Sequence, residues 1–499
     1  MTSARSHERF EVGVGRSRTG QTSLGESHTG KRRPTRELSR RRMLSDCVAA
    51  ATGLSGVIGV GLPHRFARAS ENAAPAIARR LDTTVRKVER IYLNVPFRDL
   101  PRRHMMRTRA INWTYVEVCK VTLGCGVVGI GEVIQYFLET RGEDRQVLGR
   151  DAAEVMWDDK LGSGLQGAML DAVAQVNDVP IYRLLGPKYR DRALLSWWAI
   201  DMPGEDWAKE CKDAVRQGYT SLKTKARPWW DLDEQCRILG QSLPGYFKVG
   251  VDFNRMLLDS STAVPYCRQI EKYDFIANYE TPIPQEDIQG NKAIRRQTRV
   301  PIAMHYGVPP IMTAIREDVC DTLIITGGAA KTMRQAAIAA AARKPFWLQN
   351  VGTGITAALS LHFAAVLSHA RWPTVNCHQL YVHPLIRPGI TVENGMAKVP
   401  ESPGLGFQLD EDAVERFRTE ELKTAPALTK QLIAIRWPSG GTSYYADPQE
   451  YYKEFEGGRL PVFPKGIYLE SIPDDGSREW AELQRKTQSG GVHSAERPM

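Results

Sequence analysis

Closely spaced cysteine pairs are absent from this sequence of 499 residues. None of its eight cysteines forms a Cys-x-x-Cys motif or another paired metal spacing. Seven cysteines remain when Cys47 is assigned to an N-terminal leader, and an odd number does not suit a disulfide framework. Most of them lie in apolar contexts, such as Cys236 in "DEQCRIL" and Cys320 in "EDVCDTL". We therefore expect buried free thiols.

A hydrophobic run long enough to cross a membrane is also missing. The most apolar stretch, "VAAATGLSGVIGVGL", extends from Val48 to Leu62. It has about 15 residues, whereas a spanning helix needs roughly 20. An uncleaved membrane anchor is therefore the weaker interpretation of this stretch.

A basic excess is missing from most of the chain. The net charge is +10, but residues 1–69 alone hold 13 lysines and arginines against five acidic residues. The rest of the chain is nearly neutral and shows no basic stripe, which argues against a nucleic-acid partner.

The first 69 residues have the features of an export signal. A polar, basic region leads to "SRRRML" from Ser39, the apolar run follows, and "ARAS" from Ala67 offers a small-x-small cleavage site. This order resembles a twin-arginine signal, with Met43 in place of the usual phenylalanine. The resemblance implies the twin-arginine export machinery as a partner, cleavage near Ala69 and a periplasmic protein. A disordered basic tail is the alternative.

The next part of the chain predicts a linker and an α+β unit. Residues 70–84 have the character of a linker or an N-terminal arm. In residues 85–190, the strand-like stretches "VERIYLNV" and "WTYVEVCKVTL" precede a helical region that ends at "VPIYRLLG".

Residues 191–402 alternate short apolar runs with helix-forming segments such as "KTMRQAAIAAAARK". Eight parallel strands joined by right-handed crossovers predict an α/β fold, a (β/α)8 barrel. An open doubly wound sheet is the alternative, but no Gly-x-Gly-x-x-Gly motif opens the first unit. The eight strand-like runs begin at Leu194, Ser221, Lys248, Asp274, Val300, Asp321, Lys344 and Thr374.

The alternation stops near residue 403. Residues 403–499 contain the aromatic-rich stretch "SYYADPQEYYKEFEGGRLPVFPKGIYLE" and a polar end. Its aromatic content predicts a C-terminal extension that packs on the body as far as about Pro473.

Functional side chains of such a barrel belong at the C-terminal ends of its strands. Lys223 and Lys225 end the second strand, and Asp252 and Asn254 end the third. The i, i+2 spacing directs both members of each pair to one face of the strand. Further candidates at the following strand ends are Glu280, His305, Tyr306, Thr326 and Gln349.

Two buried lysines opposite two carboxylates would be costly unless something compensates them. A divalent cation would do so, because Asp252 and Glu280 are oxygen ligands suited to Mg²⁺. The ion could hold a substrate carboxylate and stabilise an enolate. One lysine with a lowered pKa could then remove the proton alpha to that carboxylate.

The order and spacing of these residues resemble the enolase superfamily, on the side of mandelate racemase and muconate lactonizing enzyme. The resemblance covers about residues 85–410. It includes the "KTK" that starts at Lys223, the "DFN" at Asp252, "YETP" around Glu280, "PIA" from Pro301, and "GIGE" and "VPIYRLLG" in the N-terminal unit.

The resemblance implies a modified barrel with an N-terminal capping domain, a Mg²⁺ (or Mn²⁺) ion and abstraction of an alpha proton. It implies Lys225 as the base and Lys223 as its electrostatic partner near the substrate carboxylate. It also implies that Asp252 and Glu280 bind the metal and that Asn254 lies near it.

Two departures from the family pattern limit the chemistry. The family places a third acidic ligand at the end of strand five, where this chain has His305 and Tyr306. His305 could be the third ligand, although imidazole suits Zn²⁺ or Mn²⁺ better than Mg²⁺. A general acid for a leaving hydroxyl and a structural histidine are the alternatives.

The second departure concerns the opposite face of the substrate. Strands six and seven lack both the Asp/His dyad of mandelate racemase and the lysine of muconate lactonizing enzyme. They end instead in Thr326 and Gln349, which with Asn254 and Tyr306 are candidate substrate contacts. The missing second base argues against two-base racemisation.

These observations predict an exported, metal-dependent lyase, a dehydratase acting on a hydroxy acid or acid sugar through an enolate. The alternatives are a one-base isomerase or epimerase, and a catalytically decayed barrel that binds small molecules. The expected partner is a small carboxylate, and a homo-oligomer is left open. The arginines of "FRDLPRRHMMRTRA" either meet an acidic ligand or form a solvated loop.

Overall fold

The computed structural model describes residues 81–107, 113–420 and 431–494. The predicted export signal at residues 1–69 and most of the predicted linker lie outside these ranges. Within them, no helix is long and apolar enough to cross a membrane. The seven cysteines in these ranges are all free and six of them are buried, which confirms the expectation of buried free thiols.

An antiparallel sheet of three strands opens the described chain. Its strands pair in sequence order, and a turn containing Gly126, at φ 89°, joins the second to the third. The strands are β1 (Val85–Asn94), β2 (Tyr115–Leu123) and β3 (Val128–Ile134). The helices of this region are α1 (Asp99–Met105), α2 (Ala152–Val155), α3 (Gly162–Val176) and α4 (Tyr182–Leu185), with 3-10 turns at Gln135–Thr140, Asp144–Gln146 and Asp159–Leu161.

Glycines bring α3 unusually close to β3. A Cβ atom on Gly131 would lie 2.2 Å from the carbonyl oxygen of Gly164, and one on Gly129 would lie 2.0 Å from that of Ala168. These distances are shorter than any real Cβ contact, so only glycine permits the approach. The "GIGE" motif therefore has a packing role as well as a position near the barrel.

Gly131→Ala is expected to destabilise the protein by about 1–3 kcal/mol, the usual cost of overpacking. Urea unfolding would measure the change in the free energy of unfolding. The matched control is Gly245→Ala, because a Cβ atom there would meet nothing within 4 Å. The control should stay within about 0.5 kcal/mol of the wild type. Equal effects of both substitutions would contradict the close packing of α3 on β3.

Eight parallel strands form a closed barrel after this region. Neighbouring strands pair in sequence order from β4 to β10, and β11 pairs with β4. A bridge between Gln349 and Val375 joins β10 to β11 and completes the ring. The strands are β4 (Arg192–Trp198), β5 (Ser221–Lys225), β6 (Lys248–Asp252), β7 (Ile276–Glu280), β8 (Ile302–His305), β9 (Thr322–Ile325), β10 (Phe346–Leu348) and β11 (Thr374–Val375). The predicted (β/α)8 barrel, with an N-terminal α+β region before it, is confirmed.

A helix follows each strand from β4 to β10. Several of these helices begin at an aspartate whose side chain accepts a hydrogen bond from the first turn, as at Asp231, Asp259 and Asp287. The helices are α5 (Gly204–Arg216), α6 (Leu232–Gly240), α7 (Ser260–Ile270), α8 (Ile288–Gln297), α9 (Ile311–Glu317), α10 (Ala329–Ala341) and α11 (Gly354–Val366). This regular order places all the C-terminal strand ends on one side of the barrel.

Short elements and a small second sheet follow the barrel. A 3-10 turn at His378–Leu380 leads to β12 (Ile386–Arg387), β13 (Val392–Glu393), β14 (Met396–Lys398), β15 (Gln408–Leu409) and α12 (Glu411–Phe417). The extension then forms β16 (Gln431–Arg436), β17 (Thr442–Tyr445), α13 (Pro448–Glu456), β18 (Tyr468–Pro473), α14 (Arg478–Lys486), a 3-10 turn at Thr487–Ser489 and β19 (Val492–Ser494). Its four strands form an antiparallel sheet in the order β18-β16-β17-β19.

Candidate active site

Neighbouring strand ends bring the predicted lysines and carboxylates together. Lys225 on β5 lies opposite Asp252 on β6, which in turn lies opposite Glu280 on β7. Since residues two apart on a strand point to the same side, Lys223 shares the face of Lys225. Ammonium and carboxylate groups therefore meet at the C-terminal end of the barrel.

Lys223 is the more deeply buried of the two lysines, with 6% of its side chain exposed. Its Nζ lies 2.6 Å from Glu280 Oε2 and 3.4 Å from Asp252 Oδ2. It also donates a hydrogen bond of 2.6 Å to Gln349 Oε1. Burial by itself would lower the pKa of Lys223, but the charges of Glu280 and Asp252 raise it above its usual value. Lys223 is therefore a fixed positive charge.

Lys225 has a different environment, and 16% of its side chain is exposed. Its Nζ donates hydrogen bonds to Asp252 Oδ2 and, at 3.0 Å, to Asn254 Oδ1. Burial lowers the pKa of Lys225, and the neighbouring cations Lys223 and Arg227 act in the same direction, although Asp252 opposes them. Opposite shifts in neighbouring groups are typical of sites in which one group is charged and the other exchanges protons.

The two carboxylates predicted to bind a metal ion are bridged by the ammonium group of Lys223. Lys223 Nζ lies within 3.4 Å of carboxylate oxygens from both Asp252 and Glu280, so a cation already balances the pair. His305 Nε2 lies 3.3 Å from Glu280 Oε1. Among the residues that the structure describes, no three acidic, histidine or cysteine side chains could hold an ion together. The structure brings Asp252, Glu280 and His305 to one place, and the predicted Mg²⁺ or Mn²⁺ site there stays a prediction.

Asn254 connects two cations of the site. Its backbone has a left-handed conformation, at φ 46°, and its N–H donates a hydrogen bond of 2.9 Å to Asp252 Oδ1. Its Oδ1 accepts hydrogen bonds from Lys225 Nζ at 3.0 Å and from Arg227 Nη2 at 2.8 Å. Asn254 thus lies at the site, as the sequence predicts.

Thr326 and Gln349 line a cavity of about 390 Å³ between the N-terminal region and the barrel. Because Gln349 also accepts the hydrogen bond from Lys223, this cavity adjoins the lysine pair. Tyr306 lies outside the cavity lining and packs, half-buried, against the hydrophobic core. Of these predicted substrate contacts, Thr326 and Gln349 therefore lie on the cavity wall, and Tyr306 does not.

Glu132, the last residue of "GIGE", anchors the wall of this cavity. Its carboxylate accepts hydrogen bonds from the backbone N–H groups of Thr353 and Thr356, at 2.7 and 2.8 Å, and from Thr353 Oγ1 at 2.6 Å. Burial raises the pKa of Glu132, while these hydrogen bonds counteract the shift. The contacts fix β3 to the N-terminus of α11.

Two site residues were not predicted from the sequence. Arg227 follows Lys225 by two positions in "KTKAR", so continuing the i, i+2 series could have found it. Gln285 lies in the loop between β7 and α8. Its Oε1 accepts a hydrogen bond of 3.0 Å from His305 N, and its Nε2 donates one of 3.2 Å to His305 O. No local sequence motif predicts this contact, because the two residues are 20 positions apart.

Two arginines of the "FRDLPRRHMMRTRA" segment, Arg98 and Arg107, contact carboxylates of the protein itself. Arg98 Nη2 donates a hydrogen bond of 2.7 Å to Glu210 Oε2. Arg107 is fully buried and donates one of 3.1 Å to Asp201 Oδ2. These two side chains therefore hold the segment against the barrel.

Comparisons with known proteins show which family and which enzymes this chain is similar to. Residues 206–413 match the family described as "Enolase C-terminal domain-like". The D-xylonate dehydratase of Haloferax volcanii is 26% identical over 52% of this chain and 69% of its own length. The D-gluconate dehydratase of Thermoproteus tenax is 25% identical over 52% of this chain and 56% of its own length. Muconate cycloisomerase 1 of Rhodococcus opacus is 26% identical over 67% of this chain and 99% of its own length.

A solved structure supports the same fold. The crystal structure of muconate cycloisomerase from Pseudomonas fluorescens superposes with a TM-score of 0.57 and 21% identity, covering 68% of this chain and all of that one. The family match and the relatives together support the enolase superfamily for this chain.

Proposed function

We propose that this protein is a lyase that dehydrates a small hydroxy acid, with Lys225 as the base that removes the proton alpha to the carboxylate. The observation that carries the proposal is the meeting of a lysine pair and a carboxylate pair at one end of the barrel. Lys225 is the accessible member of its pair, and Lys223 is held as a permanent charge. A one-base isomerase would use the same first step.

His305 is the proposed general acid. It lies at the end of β8 with 36% of its side chain exposed, and its Nε2 is 3.3 Å from Glu280 Oε1. The carboxylate of Glu280 beside the imidazole orients the ring. His305 can therefore give a proton to a hydroxyl group that leaves from a substrate at the barrel end.

The proposed reaction balances without a redox partner. Lys225 Nζ takes the proton from C2 of a 2,3-dihydroxy acid, and the C–H electron pair forms the C2–C3 double bond. The C3–O bond breaks, and the hydroxyl leaves as water with the proton from His305. The resulting enol tautomerises to a 2-oxo acid. The ammonium of Lys223 supplies fixed positive charge beside the developing enolate.

The substrate class follows from the relatives and from the missing second base. The names D-xylonate dehydratase and D-gluconate dehydratase denote proteins that dehydrate sugar acids. Thr326 and Gln349 offer hydroxyl and amide groups on the cavity wall, which suit a polyhydroxylated acid. We therefore propose sugar acids with a 2,3-diol as the substrates.

The experiment is a screen of sugar acids, simple hydroxy acids and cis,cis-muconate in D₂O, with and without added Mg²⁺ or Mn²⁺. Exchange of the C2 proton is followed by NMR, and 2-oxo acid is detected as its semicarbazone. Exchange together with 2-oxo acid is the expected result. Calorimetric binding of an acid without any exchange would favour a binding protein on a catalytically decayed barrel instead.

We also propose export through the twin-arginine pathway, which the "SRRRML" stretch supports. In a bacterial host that has this pathway, the intact chain is expected in the periplasmic fraction. Replacement of Arg40 and Arg41 by lysine should retain it in the cytoplasm. Periplasmic accumulation of that variant would oppose the proposal.

A further inference from the structure

Arg227 is a buried cation whose hydrogen-bond partners among the described residues are all neutral. Only 5% of its surface is exposed. Its Nε donates a hydrogen bond of 3.0 Å to Tyr452 Oη, Nη2 one of 2.8 Å to Asn254 Oδ1, and Nη1 one of 2.8 Å to the carbonyl oxygen of Ala226. In residues 81–107, 113–420 and 431–494, no carboxylate forms an ion pair with it.

These contacts leave some hydrogen-bond donors of Arg227 unoccupied. A guanidinium carries five N–H donors, and the three hydrogen bonds occupy three of them. The charges of Asp201 and Asp252 raise the pKa of Arg227, but neither carboxylate accepts a hydrogen bond from it. The two remaining donors and the unbalanced charge both favour an anion at this place, and a carboxylate matches the planar guanidinium best.

The net charge of the charged side chains around Arg227 also favours an anion as the ligand. With Lys225 protonated, four cations face three carboxylates, so one positive charge stays unbalanced. The cations are Lys223, Lys225, Arg227 and Arg107, and the carboxylates are Asp252, Glu280 and Asp201. One carboxylate anion would neutralise it. A divalent metal ion would instead raise the excess to three in a buried site, which electrostatics opposes.

The C-terminal extension holds Arg227 in place. Trp229, two residues further along the same loop, packs against Tyr451 and Tyr452 of α13, with ring centroids 4.5 and 4.7 Å apart. Gly466 N donates a hydrogen bond of 2.7 Å to Asp231 Oδ2 at the end of this loop. The family match ends at residue 413, so these contacts are made by a part of the chain outside it.

We propose that Arg227 binds the substrate carboxylate in place of a divalent metal ion, beside the base Lys225, and that Tyr452 positions the guanidinium. The shared acceptor Asn254 Oδ1 keeps the two cations side by side. This inference rests on the proposed carboxylate substrate. It is separable from turnover, because binding can be measured without any reaction.

The test is calorimetric titration of the full chain, freed of metal, with tartronate, a small hydroxy dicarboxylate. The wild type is expected to bind it, and Arg227→Met should weaken binding at least about tenfold, the value of one lost charge-assisted contact. Tyr452→Phe keeps the ring on Trp229 but removes the hydroxyl, and should weaken binding by a smaller factor. The matched controls are Arg237→Met on the surface and Tyr451→Phe in the same helix, and both should bind like the wild type.

Melting temperatures distinguish a ligand-binding role of Arg227 from a merely structural one. Arg227→Met removes a buried guanidinium that no carboxylate hydrogen-bonds, so its melting temperature without ligand should stay close to that of the wild type. Tartronate should raise the melting temperature of the wild type but not of the variant. The inference is overturned if the metal-free wild type does not bind, if binding requires Mg²⁺ or Mn²⁺, or if Arg227→Met binds like the wild type. A failed screen for proton exchange would oppose the dehydratase proposal without deciding this one.

Discussion

Lys225→Met is expected to reduce exchange of the substrate alpha proton by about 10²- to 10⁴-fold, the usual contribution of a positioned general base. The reason is that Lys225 is the partly exposed lysine whose pKa burial lowers from its ordinary value of 10.5. NMR detection of deuterium incorporation at C2 measures the effect on the best substrate from the screen. In the wild type, the exchange rate should rise with pH and level off below pH 10.5, because the neutral amine is the base.

Lys248→Met is the matched control for this prediction. Lys248 also lies on a barrel strand, but it begins β6 at the opposite end of the barrel and is exposed. Its replacement should leave the exchange rate unchanged. Undiminished exchange in the Lys225 variant would exclude this residue as the base and would redirect attention to His305.

The barrel and its lysine pair were predictable from the sequence because their signals are local. Each strand is a short apolar run, and the chain alternates eight such runs with seven helices. The position of Lys223, Lys225, Asp252 and Glu280 then follows from topology, since parallel strands deliver their C-terminal ends to one side. No contact had to be known in advance.

The position of Lys223 between the two carboxylates was not predictable in this way. The sequence shows two carboxylates at strand ends, and such carboxylates suit a cation. It does not show which cation lies between them. In the structure that cation is the ammonium of Lys223, and His305 turns its Nε2 toward Glu280. Competition between an ion and a side chain depends on distances that only packing determines.

The role of the extension was hidden for a similar reason. Tyr452 is 225 positions from Arg227, and nothing in the aromatic-rich stretch distinguishes it from Tyr451. The aromatic content predicted packing on the body, and only the three-dimensional contact shows that one hydroxyl reaches a cation of the barrel. Long-range polar contacts of this kind leave no periodic pattern in the chain.

Asp252→Asn is expected to lower the free energy of unfolding at pH 7 by about 3–5 kcal/mol, the usual cost of breaking a buried ion pair by removing one partner. The substitution keeps the shape of the fully buried side chain but removes the charge that faces both lysines. Burial would raise the pKa of Asp252, but the charges of Lys225 and Lys223 hold it well below its usual range.

The sign of the pH dependence follows from that lowered pKa. A carboxyl group whose pKa is lower in the folded than in the unfolded protein stabilises the fold at every pH above the unfolded value of about 3.9, and the stabilisation is lost as the pH falls further. The difference between wild type and Asp252→Asn in urea unfolding should therefore be complete at pH 7 and shrink below about pH 4.

Two further variants show whether the effect belongs to the buried pair. Asp274→Asn removes an exposed carboxylate and should stay within about 0.5 kcal/mol of the wild type. Adding Lys225→Met to Asp252→Asn should recover part of the lost stability, because it removes the cation that the first substitution left without its carboxylate. If the double variant is instead destabilised by the sum of the two single effects, the two side chains do not act as a pair, and the electrostatic account of the site loses its basis.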